Sequence, residues 1–206
     1  MAEKNLNIHT LFDVQGRTAV ITGSSGYLGR VMASALAQAG VQVAILGTHQ
    51  EKAQSAARSI QDTGGKALGL ACDVMQRADL ERCQQHITSA FGPVDILINA
   101  AGGNSPSATT SDQQGFFDLD IEAANRVFGL NFTGTFQSCQ VFARDMAERK
   151  QGCIINITSM SGLRPLTRVS VYSAAKAAIV NFTQWLAVHM AQEYGPEIRV
   201  KTLAHI

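Results

Sequence analysis

What the chain lacks narrows its function first. Its four cysteines, Cys72, Cys83, Cys139 and Cys153, form no C-x-x-C pair and have no partnering histidine cluster. Neither a zinc site nor a dithiol redox motif is therefore indicated, and all four read as buried free thiols. No run approaches the ~20 apolar residues that span a bilayer. Glu3, Lys4, Asn5, Asn7 and Asp13 interrupt the first fifteen residues, so the apolar segment of a secretory signal is missing. Neither sign of charge dominates: 17 basic and 16 acidic side chains leave a formal charge of +1. That balance gives no electrostatic ground for capturing nucleic acid or an anionic membrane. Internal repeats and low-complexity linkers are also absent. The expectation is a cytoplasmic protein whose partner is a small-molecule substrate.

What is present is a large core. A chain of 206 residues, 46% hydrophobic and 16% charged, suits one globular domain spanning residues 1–206. Apolar runs of strand length alternate with helix-length segments, the pattern of right-handed βαβ crossovers and a parallel sheet. The sequence predicts strands over 17–21, 41–46, 66–72, 94–98, 153–157 and 198–203. Helices are expected from the 22–29 turn to Gly40, carrying Leu28, Val31, Met32, Ala35 and Leu36 at helical spacing, over 50–62 and 77–91, in two parts over 121–150, and over 171–194. Gly152 is expected to turn the chain into the fifth strand. Loops over 102–120 and 159–170 stand where function usually resides. The fold class is α/β, a doubly wound Rossmann-type sheet in a single domain.

The segment 22–29 follows the first strand and opens the first helix. Glycines there let backbone approach a pyrophosphate, whose charge sits on the free N–H groups of a helix N-terminus. Gly23, Ser25, Gly26, Tyr27 and Leu28 are the candidate contacts. After the second strand come Thr48 and His49, where an acidic side chain would accept from the adenosine ribose and repel a 2′-phosphate. None is there, so NADP(H) is slightly favoured over NAD(H), although no Arg or Lys reinforces the choice; His49 serves equally as a helix cap. Asp73 and Val74 after the third strand, and Asn99, Ala100, Ala101 and Gly102 after the fourth, lie where ligands rest in open α/β sheets, or are ordinary turn residues.

Tyr172 and Lys176, four apart on a predicted helix, share one face. A phenol with a reference pKa near ~10 is a poor base at neutral pH, and a neighbouring ammonium favours its ionised form. Such a pair is suited to proton transfer. Ser159, at a strand end thirteen residues before Tyr172, joins it.

In order and spacing, residues 22–29, 99–102, Asn131, Ser159 and Tyr172-x-x-x-Lys176 resemble the motifs of the short-chain dehydrogenase/reductase family. The resemblance implies that Tyr172 donates or accepts the substrate proton while Ser159 hydrogen-bonds the reacting oxygen. It implies that Lys176 holds the nicotinamide ribose and that Asn131 anchors a water relay, with Tyr172 and Lys176 both against the cofactor. A homodimer or homotetramer is implied as well. Residues 101–104, 116–120 and 181–187 are similar to the sugar-acid branch of that family, the fructuronate reductase and mannonate oxidoreductase enzymes. For such a substrate Arg164 and Arg168 are candidate carboxylate readers, with Asn104 and Ser159 as hydrogen-bonding partners.

Two departures stand against the family pattern. Tyr27 occupies the usual middle-glycine position, with Gly26 one place earlier. Lys201, His205 and Ile206 stand where Asn and Pro-Gly are usual, so the sheet is expected to lack its last strand and the domain to be C-terminally truncated. The alternatives are a reductase of another carbonyl, a gluconate-type polyol or a 3-oxoacyl thioester, and a cofactor-binding remnant with little activity.

Overall fold

The computed structural model describes residues 12–24 and 26–205. The reading of the extreme amino terminus, Ser25 as a phosphate contact and the departure at Ile206 lie outside them. Six parallel strands form one sheet: β1 (Thr18–Thr22), β2 (Gln42–Gly47), β3 (Ala67–Ala71), β4 (Ile96–Asn99), β5 (Gln151–Ser159) and β6 (Glu197–His205). Their order is β3-β2-β1-β4-β5-β6, so the sheet grows outward from β1 in both directions and the strand order reverses between β1 and β4. The helices are α1 (Tyr27–Gln38), α2 (Gln50–Gln61), α3 (Arg77–Phe91), α4 (Ile121–Phe128), α5 (Gly134–Arg149) and α6 (Ser170–Glu193).

Successive strand side chains point to opposite faces, and the core divides accordingly. Ala19, Ile21, Val43, Ile45, Ile98 and Ile157 pack under α1 and α2 with Ala33, Ala53, Ala57 and Ile60. Val20, Ala44, Leu46, Leu97 and Ile154 face α3, α5 and α6 through Leu80, Ile87, Phe142, Met146, Phe182 and Leu186. Coverage on both faces explains why the strands read as nearly unbroken apolar runs. Among the described residues, β3 and β6 are the edge strands, each paired on one side only, and no helix is long and apolar enough to cross a membrane.

Two expectations need correction. Gly152 does not make the turn before β5. Lys150 does, at φ 56, as the left-handed C-cap of α5, and the strand has already begun at Gln151. Gly152 is glycine for space, because a Cβ there would lie 2.5 Å from Met146. The cysteines are not uniformly buried either: Cys153 is half-exposed on β5, in register with Arg199 on the outer strand β6.

Between α4 and α5 the helix widens into one π turn, Gly129–Thr133. Glycines bracket it. A Cβ at Gly129 would lie 2.9 Å from Met75 and one at Gly134 2.6 Å from Val74, so the two-part helix seats directly on the turn after β3.

Candidate active site

The carboxyl ends of the strands form a rim, and the glycine-rich turn is built into it at the β1/β4 crevice. Gly23 sits at φ +69, and a Cβ on it would fall 2.6 Å from Ala101 Cα. Glycine thus meets two demands there: a left-handed backbone and contact with the turn after β4. Thr22 holds that turn, its hydroxyl accepting from the N–H groups of Ala100 and Ala101 at 3.2 Å each. Gly29 packs its α-carbon side onto Ser24, where a Cβ would lie 2.3 Å from Ser24 Cα. Ser24 in turn donates to Ile21 O at 2.7 Å.

Gly26 caps α1 in extended conformation, without a side-chain cap and without an acidic residue in the first turn. The amides of Tyr27, Leu28 and Gly29 therefore face outward with no intrahelical acceptor, a setting suited to a pyrophosphate. Tyr27 is 87% exposed, so the ring in place of the middle glycine leaves this cradle open. Leu28 packs toward the core beneath α1. The residues fit a dinucleotide.

Along the same rim Thr48 and His49 are exposed, with Thr48 Oγ1 3.0 Å from His49 Nδ1. His49 is the N-cap of α2 by backbone position, though its ring caps nothing. Asp73 accepts from Met75 N–H at 2.9 Å. Val74 is buried, its side chain against Gly134, which leaves its backbone at the rim. Asn99 is turned inward: its amide donates to Asn156 Oδ1 at 2.8 Å and lies 3.2 Å from Cys139 Sγ, tying β4 to β5 and α5.

The structure brings Asn131, Gly102, Lys176 and Tyr172 together. Asn131, fully buried within the π turn, donates to Val127 O at 2.8 Å and Gly103 O at 2.7 Å. Its Oδ1 has no partner among the described residues. A Cβ on Gly102 would fall 2.6 Å from that oxygen and 3.2 Å from Lys176 Nζ, so both polar atoms converge on one small space. Lys176 Nζ donates to Ile157 O at 3.0 Å and stands 5.5 Å from the centroid of the Tyr172 ring. Burial pushes the Lys176 ammonium down to about 8. Tyr172 itself packs with Val171 against Ala108, Ala123 and Val127, which fixes α6 against α4.

Ser159 ends β5 and caps the short 3-10 turn Met160–Gly162, accepting from Ser161 N–H. Gly162 presses that turn on the backbone of α6: a Cβ would lie 2.7 Å from Lys176 C. Thr158 Oγ1 donates to Lys176 O at 2.9 Å from the other side of the strand end. Sequence reasoning placed Thr22 in the 22–29 segment without its role in holding the turn after β4, and it missed Thr158 and Ser161. Only their place beside strand ends, as hydroxyls next to already suspected residues, offered a clue.

The proposed substrate readers behave differently from one another. Asn104 spends its side chain on its own loop, accepting from Ser105 N–H at 2.9 Å and donating to Thr109 Oγ1 at 3.0 Å. Arg168, at φ 72, pairs with Asp112 at 2.9 Å and offers its carbonyl to Thr110 N–H, joining the two rim loops. The exposed Arg164 makes no ion pair among the described residues.

A dinucleotide cradle at the strand-order reversal, with a serine, a tyrosine and a buried lysine beside it, defines a Rossmann-type oxidoreductase. The chain belongs to the short chain dehydrogenase family, whose model matches residues 17–205. It is 46% identical over 188 residues, 87% of this chain and 68% of the other, to the oxidoreductase UxuB of Bacillus subtilis. Among solved structures it resembles a candidate D-mannonate oxidoreductase from Haemophilus influenza with bound NAD. That likeness has a TM-score of 0.88 at 39% identity and covers 96% of this chain and 73% of that one. It also resembles an actinorhodin polyketide ketoreductase with NADPH, TM-score 0.83 at 27% identity, covering 91% and 69%. The protein is an NAD(P)-dependent oxidoreductase.

Proposed function

We propose that the chain interconverts a keto and a hydroxyl group on a sugar acid of the fructuronate/mannonate kind, with Tyr172 as the proton-transferring residue. The observation that carries this is the pairing of Lys176 and Tyr172 beside Gly102, on the same rim as the Gly23 cradle. A bound nicotinamide supplies or removes the hydride at the substrate carbon. Tyr172 gives its phenolic proton to the substrate oxygen in reduction and takes it back in oxidation. Ser159 donates a hydrogen bond to that oxygen, stabilising the charge that grows on it. Lys176, held by Ile157 O, fixes the cofactor ribose and places its charge under the phenol ring. Asn131 directs its Oδ1, unpartnered among the described residues, toward the space beside Lys176, where it accepts from and anchors a water, and the proton relay runs through that water. Gly23, Gly26 and the α1 amides hold the pyrophosphate, and Thr48 and His49 meet the adenosine end, with NADP(H) slightly favoured. Support for a sugar acid comes from the polar 104–114 segment, from Arg164, which is exposed and not ion-paired among the described residues, and from the likeness to the D-mannonate oxidoreductase candidate of Haemophilus.

The test mixes the purified chain with NADPH or NADH and D-fructuronate, a keto-gluconate or a 3-oxoacyl thioester, following nicotinamide absorbance. Turnover is expected with the sugar acid, and Tyr172→Phe should lower kcat by roughly 10²–10⁴-fold while cofactor affinity holds. Unchanged kcat in Tyr172→Phe would remove the tyrosine from the chemistry, and preference for the thioester would overturn the substrate class.

A further inference from the structure

Ser159 does not stand alone at the end of β5. Ser161, 5% exposed, donates to Ser159 Oγ twice: through its N–H at 3.2 Å and through its hydroxyl at 3.0 Å. A serine hydroxyl has one proton to give and two lone pairs to accept with. Both acceptor sites of Ser159 Oγ are thereby filled from within the chain. What remains to it is its own proton, which has to point away from Ser161. The Ser161 hydroxyl, for its part, has Ser159 Oγ as its acceptor among the described residues.

From this we infer that Ser161 is a positioning residue: it fixes Ser159 as an obligatory hydrogen-bond donor to the substrate oxygen. The inference rests on the reading of Ser159 given above and adds the group that controls it. A relay Ser161 O–H to Ser159 O–H to substrate oxygen runs in one direction, and each donor in such a chain polarises the next. Its benefit grows as negative charge accumulates on the substrate oxygen, so the effect belongs to the transition state more than to the bound ground state. The 3-10 turn does not need the Ser161 hydroxyl for its shape. Leu163 N–H and Arg164 N–H both close onto Met160 O, at 3.0 and 2.9 Å, and Gly162 packs on the Lys176 backbone.

The experiment compares the full chain with Ser161→Ala, Ser161→Cys and Ser161→Thr, using NADPH and D-fructuronate. Ser161→Ala is expected to lower kcat roughly five- to tenfold, the weight of one net hydrogen bond, with KM and NADPH affinity within about twofold. Ser161→Cys keeps the volume but is a poor donor, so it should fall as far even if the alanine variant folds badly. Ser161→Thr, which keeps the hydroxyl, should recover most of the rate. In a Ser159→Ala background, Ser161→Ala should change nothing further, because residues acting as a unit are not additive. A merely structural Ser161 would instead lower both backgrounds by the same factor and reduce the melting temperature. Loss of turnover in Ser159→Ala with wild-type kcat in Ser161→Cys would overturn this inference alone. No turnover in the unaltered chain, or full turnover in Ser159→Ala, would overturn the functional reading and this inference with it.

Discussion

Lys176 lies beneath Tyr172 with its Nζ 5.5 Å from the ring centroid and its proton on Ile157 O, and the whole side chain is 5% exposed. An ammonium so enclosed is disfavoured by burial, which holds it at about 8 instead of 10.5. The unfolded chain therefore binds one more proton than the folded chain between those two values. This group opposes folding fully below about pH 8, and its opposition fades as pH rises toward 10.5. In the cofactor-free protein, the stability of Lys176→Met relative to wild type should fall by on the order of 2 kcal/mol between pH 7 and pH 10. Urea unfolding at a series of pH values measures it. A pH-independent difference would mean that the lysine is no harder to charge than one in water.

That pair was legible because two side chains four apart on a helix must share a face whatever the rest of the fold does. The strands were legible for a related reason: sheets covered on both sides leave continuous apolar runs, and Val43 to Leu46 could hardly be anything else. Other features depended on partners that local sequence does not name. Glycine marks two different needs, a left-handed backbone or the absence of a Cβ, and Gly152 answers the second, to Met146, while Lys150 takes the turn. Asn99 looked like a rim residue, yet Asn156, 57 positions away, draws its amide inward. The π turn around Asn131 adds one residue to a helical ladder, which barely disturbs the apolar period that reveals a helix.

The two loop arginines are expected to separate in function. Arg168 is tied to Asp112 and its carbonyl to Thr110, whereas Arg164 is not ion-paired among the described residues. Arg164→Ala should raise KM for a sugar acid about tenfold or more, as for a lost charge-assisted contact, and leave NADPH affinity alone. Arg168→Ala should act less, by loosening the loop that Asp112 anchors, since an exposed ion pair contributes up to roughly 1 kcal/mol. Steady-state kinetics of the two variants decide the matter. A larger effect from Arg168 would reverse their roles.

Cofactor choice is expected to turn on Thr48. No carboxylate stands at the end of β2, and Thr48 and His49 are both exposed there with their polar atoms 3.0 Å apart. Thr48→Asp would place a negative charge where a 2′-phosphate rests and where ribose hydroxyls donate. NADPH affinity should drop at least about tenfold, and NADH affinity should hold or improve, as fluorescence titration would read. If both cofactors weakened equally, the adenosine end would have to lie elsewhere.

Gly23 and Gly16 allow the cradle itself to be tested, because they share a backbone conformation and differ in surroundings. Their φ values are +69 and +75, but a Cβ on Gly23 would strike Ala101 at 2.6 Å while one on Gly16 would meet nothing within 4 Å. Alanine at Gly16 should therefore cost only the left-handed penalty, about 1–2 kcal/mol. At Gly23 the overpacking cost of about 1–3 kcal/mol adds to it, and the β4 turn that Thr22 holds has to move. Gly23→Ala should accordingly be the less stable variant in urea, and it alone should lose NADPH binding by more than about tenfold, since the displaced turn forms one wall of the crevice. Equal midpoints and equal affinities for the two variants would show that β1 and β4 do not close on each other at the place where the cofactor is held.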